Sequence, residues 1–216
     1  MEKVERLRQL AFKRKADRLP GYYCLSDFHD GAYDRHEYVS PWTISANNAD
    51  ADLMILLQDW SSSDSLNGDL DTDALNLGYT PSLATNVSLI DLVKKHFGCE
   101  IDATYVTNLF VFIKKGGMSA SIPMGDMKYC AEHYAVPQVE IVAPRLALCV
   151  GLNTFNALRL ARGARRVRVA EATNRPFLIN STQVCWAPHT GYWGNRNAGG
   201  PDKIDEIWGR LAINAL

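Results

Sequence analysis

The sequence predicts an α/β fold, a three-layer α/β/α sandwich around a four-stranded parallel sheet. Four short apolar runs, each bounded by polar residues, are typical of strands buried on both faces. Segments with apolar residues at helical spacing lie between these runs. Because strands that alternate with helices form βαβ units, we expect a parallel sheet with helices on both of its faces.

Length and composition limit the class of protein. The 216 residues are enough for one sizeable core, and we expect residues 1–216 to form a single domain. A hydrophobic content of 47% and a charged content of 22% are ordinary for a globular protein. Five scattered cysteines without a C-x-x-C pair indicate a reducing compartment. Without a signal peptide or an apolar run of ~20 residues, the sequence predicts a soluble, cytoplasmic monomer with no membrane partner.

The elements follow one another in a regular order. An amphipathic helical pattern covers residues 1–19 and stops before Pro20 and Gly21. Residues 21–50, rich in Tyr, Asp and Asn, predict an ordered but irregular lead-in. The predicted strands lie at residues 51–60, 103–112, 145–150 and 182–188. The other helical patterns cover residues 85–98, 124–143, 152–163 and 202–216, and Pro137 is expected to bend or interrupt the one at 124–143.

Charge is distributed unevenly along the chain. The formal net charge is -1, but residues 144–216 carry ten Lys/Arg against four Asp/Glu, and residues 1–143 carry thirteen against twenty. A basic C-terminal third of this kind indicates a polyanionic partner. The alternative is a solvated basic face, and the two readings stay open. The arginines concerned are Arg159, Arg162, Arg165, Arg166 and Arg168.

Polar side chains stand at the carboxyl ends of the predicted strands, where open parallel sheets bind ligands. Gln58 and Asp59 close the first strand, Asn108 interrupts the second, Asn153 follows the third and His189 follows the fourth. Each has a structural alternative: a cap for Asp59, a satisfied buried amide for Asn108, and a core histidine for His189. Together, at the ends of successive strands, they favour a ligand site.

Four stretches, in this order, resemble motifs of the uracil-DNA glycosylase superfamily. LLQDW (56–60) is similar to the water-activating motif, and NLGYTPSLATNVSLIDLVKKHFG (76–98) to the segment after it, which carries a base-stacking aromatic residue. VTNLF (106–110) resembles the strand whose asparagine reads the base edge. APHTGYWGNRN (187–197) lies where the family has its second motif and a DNA-intercalating loop. The resemblance covers residues 50–210 and implies a uracil-DNA glycosylase-like fold.

The resemblance also implies an activity, hydrolysis of the N-glycosidic bond of uracil or a related deaminated base in DNA. Asp59 would stabilise the oxocarbenium-like sugar cation and orient the attacking water, and His189 would donate a hydrogen bond to the departing base. The flipped base would be bound by Gln58, Tyr79, Asn108 and Trp60, with Tyr79 as the stacking face. The DNA would be contacted by Ser82, Thr190, Asn195 and Arg196.

The motifs depart from the family pattern at several positions. Leu57 and Trp60 stand where the best-known branch has glycine and proline, and Ser61 stands in place of the tyrosine that excludes thymine. His189 is followed by Thr-Gly instead of Pro-Ser. The location of the site survives these changes, but the base that it accepts stays open. Residues 190–197 are either a DNA-contacting loop or a glycine-rich turn.

We expect no cofactor. Some branches of the superfamily hold an iron–sulfur cluster on four cysteines, and here only Cys24 and Cys130 lie near suitable positions. Cys130 and His133 are three residues apart on one predicted helix, but no third metal ligand accompanies them. No lysine is placed among the motif residues to act as an imine-forming nucleophile, so lyase activity is not expected.

Three functions are compatible with these observations. The leading hypothesis is a monofunctional DNA glycosylase of base excision repair. The alternatives are a catalytically inactive nucleic-acid- or nucleotide-binding protein of the same fold, and a small-molecule hydrolase or transferase that shares only the architecture. The presence of Asp59 and His189 favours the DNA glycosylase over the catalytically inactive binding protein. Salt-dependent DNA binding distinguishes the first two hypotheses from the third.

Overall fold

The sheet and its helices form an α/β sandwich. The computed structural model describes residues 2–34 and 36–215, and the side chains of Trp193, Asn195, Asn214 and Ala215 lie outside this description. Within the described residues, five strands are ordered β2-β1-β3-β5-β4, and β4 alone runs antiparallel to its neighbour. The strands are β1 Leu53–Asp59, β2 Tyr105–Phe110, β3 Leu146–Val150, β4 Phe177–Ile179 and β5 Thr182–Ala187.

The four predicted strands are confirmed as β1, β2, β3 and β5, but the sheet has a fifth strand and is not wholly parallel. The three-residue β4 is too short to show a strand periodicity in the sequence. It turns into β5 through Asn180, whose φ of 51° is a left-handed conformation that asparagine tolerates better than most residues. The mainly parallel sheet therefore carries an antiparallel edge strand.

The helices lie on both faces of the sheet. In chain order they are α1 Lys3–Ala16, α2 Ser63–Leu66, α3 Thr72–Leu77, α4 Ala84–Phe97, α5 Met124–Cys130, α6 Val136–Val142, α7 Leu152–Ala161, α8 Val169–Ala172, α9 Tyr192–Ala198 and α10 Pro201–Ala215. Phe155 of α7 packs in one core with Leu56 of β1, and Leu89 of α4 and Trp208 of α10 pack in another with Ile55. Because successive strand residues point to opposite faces, the neighbours Ile55 and Leu56 belong to different cores.

Pro137 interrupts its helix without breaking it. The predicted helix over 124–143 is confirmed as α5 and α6, joined by a π-helical turn at Ala131–Ala135. Proline has no N–H to donate to the carbonyl four residues earlier. The turn immediately before it adopts the wider i→i+5 spacing, so that the chain passes Pro137 as a continuous helix.

The lead-in is ordered and irregular, as predicted. It forms short 3₁₀ turns at Leu25–Asp27, His29–Asp34 and Pro41–Ile44. These turns bury the aromatic side chains of Tyr33 and Trp42. In the part of the chain that the structure describes, no helix has both the length and the apolar character needed to cross a membrane.

Gly78, at the end of α3, lies so close to the backbone of the lead-in that there is no space for a side chain. It ends α3 with a φ of +82°, and a Cβ atom there would lie 1.8 Å from the carbonyl oxygen of Pro41. Gly98 ends α4 similarly, with a φ of +66°, but a Cβ atom there would meet nothing within 4 Å. A substitution at Gly98 would therefore introduce left-handed backbone strain alone, whereas a substitution at Gly78 would add a steric clash with Pro41.

We expect Gly98→Ala to lower the free energy of unfolding by about 1–2 kcal/mol, the strain of a left-handed non-glycine residue. Gly78→Ala adds an overlap with backbone, so its expected loss is about 4 kcal/mol or more. Urea denaturation of the two variants beside the wild type measures both losses. Equal losses would contradict the close approach of Gly78 to Pro41.

Candidate functional site

The register of the parallel strands brings the ends of β1 and β5 to the same level. Leu56 of β1 pairs with Cys149 of β3, which pairs with Trp186 of β5. Asp59 and His189 each lie three residues beyond this row. Since β3 separates their strands, the backbones of β1 and β5 run about 10 Å apart. The two residues therefore lie at the same edge of the sheet, on either side of β3.

A cleft of about 540 Å³ opens at this edge of the sheet. Asp59 and His189 both line it, as do Gln58, Trp60 and Tyr79. Five of the residues predicted from the sequence therefore share one site. Other charged and polar residues that line the cleft are Asp69, Asp71, Thr80, Thr85, Asn86 and Lys114.

Both carboxylate oxygens of Asp59 are held in place. Gln58 donates from Nε2 to Oδ1 at 2.8 Å, and the ammonium of Lys114 lies 2.7 Å from Oδ2. Asn153, after β3, donates in turn to the Oε1 of Gln58 at 3.4 Å. The side chains of Asp59 and Lys114 are only 6% and 4% exposed. The carboxylate is therefore fixed as one half of a nearly buried ion pair.

Lys114 is a site residue that the sequence analysis missed. It lies outside the motif stretches, yet its amine is 2.7 Å from Asp59, contrary to the expectation that no lysine is placed beside the reacting residues. It follows the apolar run of β2, where the strand-end rule applied to Asp59 would have found it. Its Nζ also donates to the carbonyl of Met118 at 2.6 Å. Its own carbonyl accepts a hydrogen bond from the N–H of Ser63, shortly after Asp59. The segment 114–118 is thereby tied to the chain that leaves β1.

His189 presents a hydrogen-bond donor. Its Nδ1 accepts from the N–H of Gly191 at 3.0 Å, so the neutral imidazole carries its proton on Nε2. The residue is exposed in the cleft, yet the surrounding walls lower the pKa of the imidazole below its usual 6.5, while the nearby Asp59 carboxylate opposes this by raising it. At neutral pH the ring is therefore an uncharged N–H donor.

The residues after His189 form a helix and not the predicted loop. Helix α9 packs directly onto His189, and a Cβ atom at Gly194 would lie 1.9 Å from the carbonyl oxygen of His189. Thr190, expected to contact DNA, is 2% exposed and donates from Oγ1 to the carbonyl of Thr85 at 2.9 Å. Thr190 therefore fixes the end of β5 to α4, and its hydroxyl is not presented to a ligand.

The other predicted DNA contacts lie apart from the cleft lining. Ser82 and Arg196 are exposed, at the start of the α4 segment and on α9. Asn195 belongs to α9, but its side chain lies outside the part of the chain that the structure describes. Their contribution to DNA binding stays a prediction.

Stacked and edge-on aromatic rings form one wall of the cleft. Tyr79 lies flat against Trp42, with ring centroids 4.3 Å apart and planes 3° from parallel. Trp60 packs edge-on against Tyr33 at 5.2 Å, and its Nε1 donates to the carbonyl of Gly78 at 2.9 Å. Each ring is held by a neighbour from the lead-in, so the wall is formed before any ligand binds.

Asn108 does not line the cleft, contrary to the prediction that it reads a base edge there. It is 1% exposed, its Oδ1 accepts from Ser40 at 2.5 Å, and its Nδ2 has no partner among the described residues. It lines a small void of about 10 Å³ together with Trp60, which also lines the cleft. The indole of Trp60 therefore stands between Asn108 and the cleft.

Asn86 is a second carboxamide that lines the cleft, beside Gln58. It lies in the first turns of α4 and lines the cleft, and its Nδ2 donates to the carbonyl of Thr80 at 3.0 Å. Nδ2 is engaged by this bond, and Oδ1 accepts no side-chain hydrogen bond from the residues that the structure describes. Sequence reasoning missed Asn86 because an asparagine near a helix start reads first as a cap.

Comparison with protein-family models and with curated proteins finds no match to this chain. Among the described residues, no group of three or more His, Cys, Asp or Glu side chains is placed to hold a metal ion. The fold and the site define an α/β protein whose cleft combines a carboxylate, an amine, a neutral imidazole and an aromatic wall.

The pKa of His189 tests this electrostatic arrangement. We expect its imidazole to titrate below pH 6.5 by NMR, and to titrate lower still in Asp59→Asn, because the carboxylate that favours the imidazolium is removed. Asp52→Asn is the matched control, since it removes an exposed carboxylate just before the other end of β1. An unchanged His189 titration in Asp59→Asn would show that the two groups do not interact.

Proposed function

We propose that this protein is a DNA glycosylase, similar in fold and mechanism to the uracil-DNA glycosylase superfamily, and that it hydrolyses the N-glycosidic bond of uracil or a related deaminated base. The observation that carries the proposal is the pairing of Asp59 and a neutral His189 donor across one cleft with an aromatic wall. The order and spacing of the sequence motifs support the same assignment.

The two side chains match the charges that develop in this reaction. Breaking the bond leaves positive charge on the sugar and negative charge on the base. The ionised Asp59, held by Gln58 and Lys114, stabilises the sugar cation and orients the attacking water. The Nε2–H of His189 donates to the base as it acquires negative charge.

The cleft supplies contacts for the base itself. Tyr79, backed by Trp42, offers a flat and rigid stacking face. Because Trp60 separates Asn108 from the cleft, the polar edge of the base is read by Asn86, whose Oδ1 accepts from an imino or amino group. Recognition of the base therefore differs from the one that the sequence motifs imply.

A separate group of residues favours a polyanionic partner. The arginine surface, defined as Arg159, Arg162, Arg165, Arg166, Arg168 and Arg175, lies in a stretch of 17 residues that contains one acidic residue and no lysine. Glu171 pairs with Arg165 at 3.1 Å and with Arg175 at 3.7 Å. Arg166 and Arg168 are exposed and form no ion pair with the residues that the structure describes. Planar guanidinium groups match the geometry of phosphate oxygens.

Three of these arginines are close in space, since Nε of Arg159 donates to the carbonyl of Arg165 at 3.0 Å and Glu171 pairs with both Arg165 and Arg175. Burial lowers the pKa of Arg159, and the charges of Arg165 and Arg175 lower it further. The guanidinium of Arg159 also lies 5.6 Å from the ring centre of Phe177 in β4. Arg159 thus lies beside β4, the edge strand next to the β5 strand that leads to His189.

One observation favours a second candidate, the hydrolysis of free nucleosides. Three carboxylates line the cleft, at Asp59, Asp69 and Asp71, against the single cation of Lys114 among the described lining residues. This balance repels phosphate groups at the cleft itself. A neutral nucleoside meets no such repulsion, whereas a DNA strand has to keep its phosphates outside the cleft.

Base release from oligonucleotides tests the proposed function. Labelled strands that carry uracil, hypoxanthine, xanthine or a G·T mismatch, single- and double-stranded, are treated with protein and then alkali. We expect His189→Ala to slow release by about 10²–10³, as for loss of one preorganised donor, and Asp59→Asn to abolish it. Asp52→Asn is the matched control and keeps the wild-type rate.

Free deoxyuridine in the same assay separates the two candidates. Release from oligonucleotides that depends on Asp59 supports the glycosylase. Release from deoxyuridine alone supports the nucleoside hydrolase and overturns the first proposal. If no base is released from any substrate, both proposed activities are contradicted.

The salt dependence of DNA binding tests the arginine surface. Fluorescence anisotropy with labelled oligothymidylate avoids any excisable base, and the slope of log K against log[salt] counts the phosphates neutralised. We expect Arg166→Ala/Arg168→Ala to make this slope shallower by about 1.4, at ~0.7 per phosphate for single strands. Arg6→Ala/Arg18→Ala removes the same charge from the N-terminal segment and leaves the slope unchanged. Equal slopes for all proteins would exclude the arginine surface from DNA binding.

A further inference from the structure

Lys114 and Asp59 form an amine–carboxylate pair inside the cleft that hydrolysis by water does not require. The Nζ of Lys114 lies 2.7 Å from Oδ2 of Asp59, and both residues line the cleft. The lysine holds the carboxylate in place, but its positive charge also repels the sugar cation that the carboxylate is to stabilise. The lysine therefore calls for a role of its own.

The surroundings of the pair suit a lysine that acts as a nucleophile. An amine attacks a carbonyl only in its neutral form, and nucleophilic lysines are activated by desolvation or by a neighbouring base. The two side chains are 4% and 6% exposed, so the amine and its neighbouring carboxylate are largely removed from water. Nζ and Oδ2 lie 2.7 Å apart as an ion pair, so Asp59 is a base within reach of the amine during a reaction.

The segment that carries Lys114 holds the amine in place. Its backbone bonds to Ser63, and the N–H of Gly116 donates to the hydroxyl of Ser63 at 2.9 Å. Nζ donates to the carbonyl of Met118 at 2.6 Å, which fixes the end of the flexible side chain. Fixed geometry of this kind is what a covalent step needs, because the amine is already aligned when a carbonyl arrives.

We propose that Lys114 forms an imine with the C1′ aldehyde of an abasic deoxyribose in the cleft, and that the protein is thereby also an abasic-site lyase. The inference rests on the proposed function in one respect, that the cleft binds a deoxyribose with C1′ near Asp59. It does not require the protein to remove the base itself, since an abasic site can be supplied ready-made.

Each step balances with the residues present. Asp59 takes a proton from Lys114, and the neutral amine adds to the C1′ aldehyde of the ring-opened sugar. Asp59 returns the proton as water leaves, which gives a protonated imine between Nζ and C1′. Loss of a C2′ proton to the Asp59 carboxylate then breaks the C3′–O bond and releases the 3′-side strand with its 5′-phosphate. Water hydrolyses the imine and restores the lysine.

Reductive trapping on a preformed abasic site tests this inference. An oligonucleotide with one abasic site is incubated with the full-length protein and sodium cyanoborohydride, which reduces an imine to a stable amine. We expect a covalent protein–DNA adduct on a denaturing gel, and its peptide map to place the modification on Lys114. An adduct mapped to another residue, such as the N-terminal amine, overturns the proposal, as does the absence of an adduct.

Two variants sharpen the test. Lys114→Arg keeps a positive partner for Asp59 but cannot form an imine, so the adduct is expected to disappear while the circular dichroism spectrum is unchanged. Lys115→Ala is the matched control, since the neighbouring lysine is exposed and lies over the ring of Tyr23, 5.6 Å from its centre. An adduct that persists in Lys114→Arg, or that is lost in Lys115→Ala, contradicts the assignment. If Lys114→Arg does not fold, the peptide map of the wild-type adduct decides.

The outcome is independent of the glycosylase assay. If the protein is trapped on the abasic strand but releases no base, the lyase is supported and the proposed glycosylase is overturned. Release of a base with no trapping on the abasic strand leaves the glycosylase and overturns the lyase.

Discussion

The common direction of β1, β3 and β5 is the constraint on which the site depends. Three parallel strands in fixed register end at one edge of the sheet, and the row Leu56, Cys149 and Trp186 sets the level at which they end. A shift of one residue in any of these pairings would turn Asp59 or His189 to the opposite face. The cores on the two faces prevent such a shift, because the apolar residues of these strands are buried in them. Packing far from the cleft therefore determines the chemistry inside it.

Within the cleft, the ion pair of Asp59 and Lys114 dominates the electrostatics. Two opposite charges this deeply buried contribute little net stability, but the loss of either partner leaves an uncompensated charge that costs about 3–5 kcal/mol. The pair also joins the end of β1 to the segment after β2, so it sets the shape of the cleft as well as its charge. Burial by the cleft walls lowers the pKa of His189 more than the Asp59 carboxylate raises it, so the imidazole is neutral.

The sequence was sufficient for features that follow from local patterns. The apolar run of β1 and its polar end at Gln58 and Asp59 predicted a buried strand with a site at its carboxyl end. It was insufficient where tertiary contacts decide. The three residues of β4 have no periodicity of their own, and α9 forms because Gly194 allows a helix to pack on the backbone of His189. Asn108 was placed on the correct strand, but only the packing of Trp60 determines whether its amide reaches the cleft.

The stack of Trp42 on Tyr79 has a consequence for the boundaries of the folding unit. Trp42 belongs to the lead-in, and so do Tyr33, which packs on Trp60, and Ser40, which bonds to Asn108. The α/β core from residue 51 onward contains every strand of the described sheet. The side chains that pack behind the aromatic wall of its cleft, however, belong to the lead-in. A change in residues 21–50 that leaves every strand intact would therefore remove the packing partners of Tyr79 and Trp60 and alter the wall of the cleft.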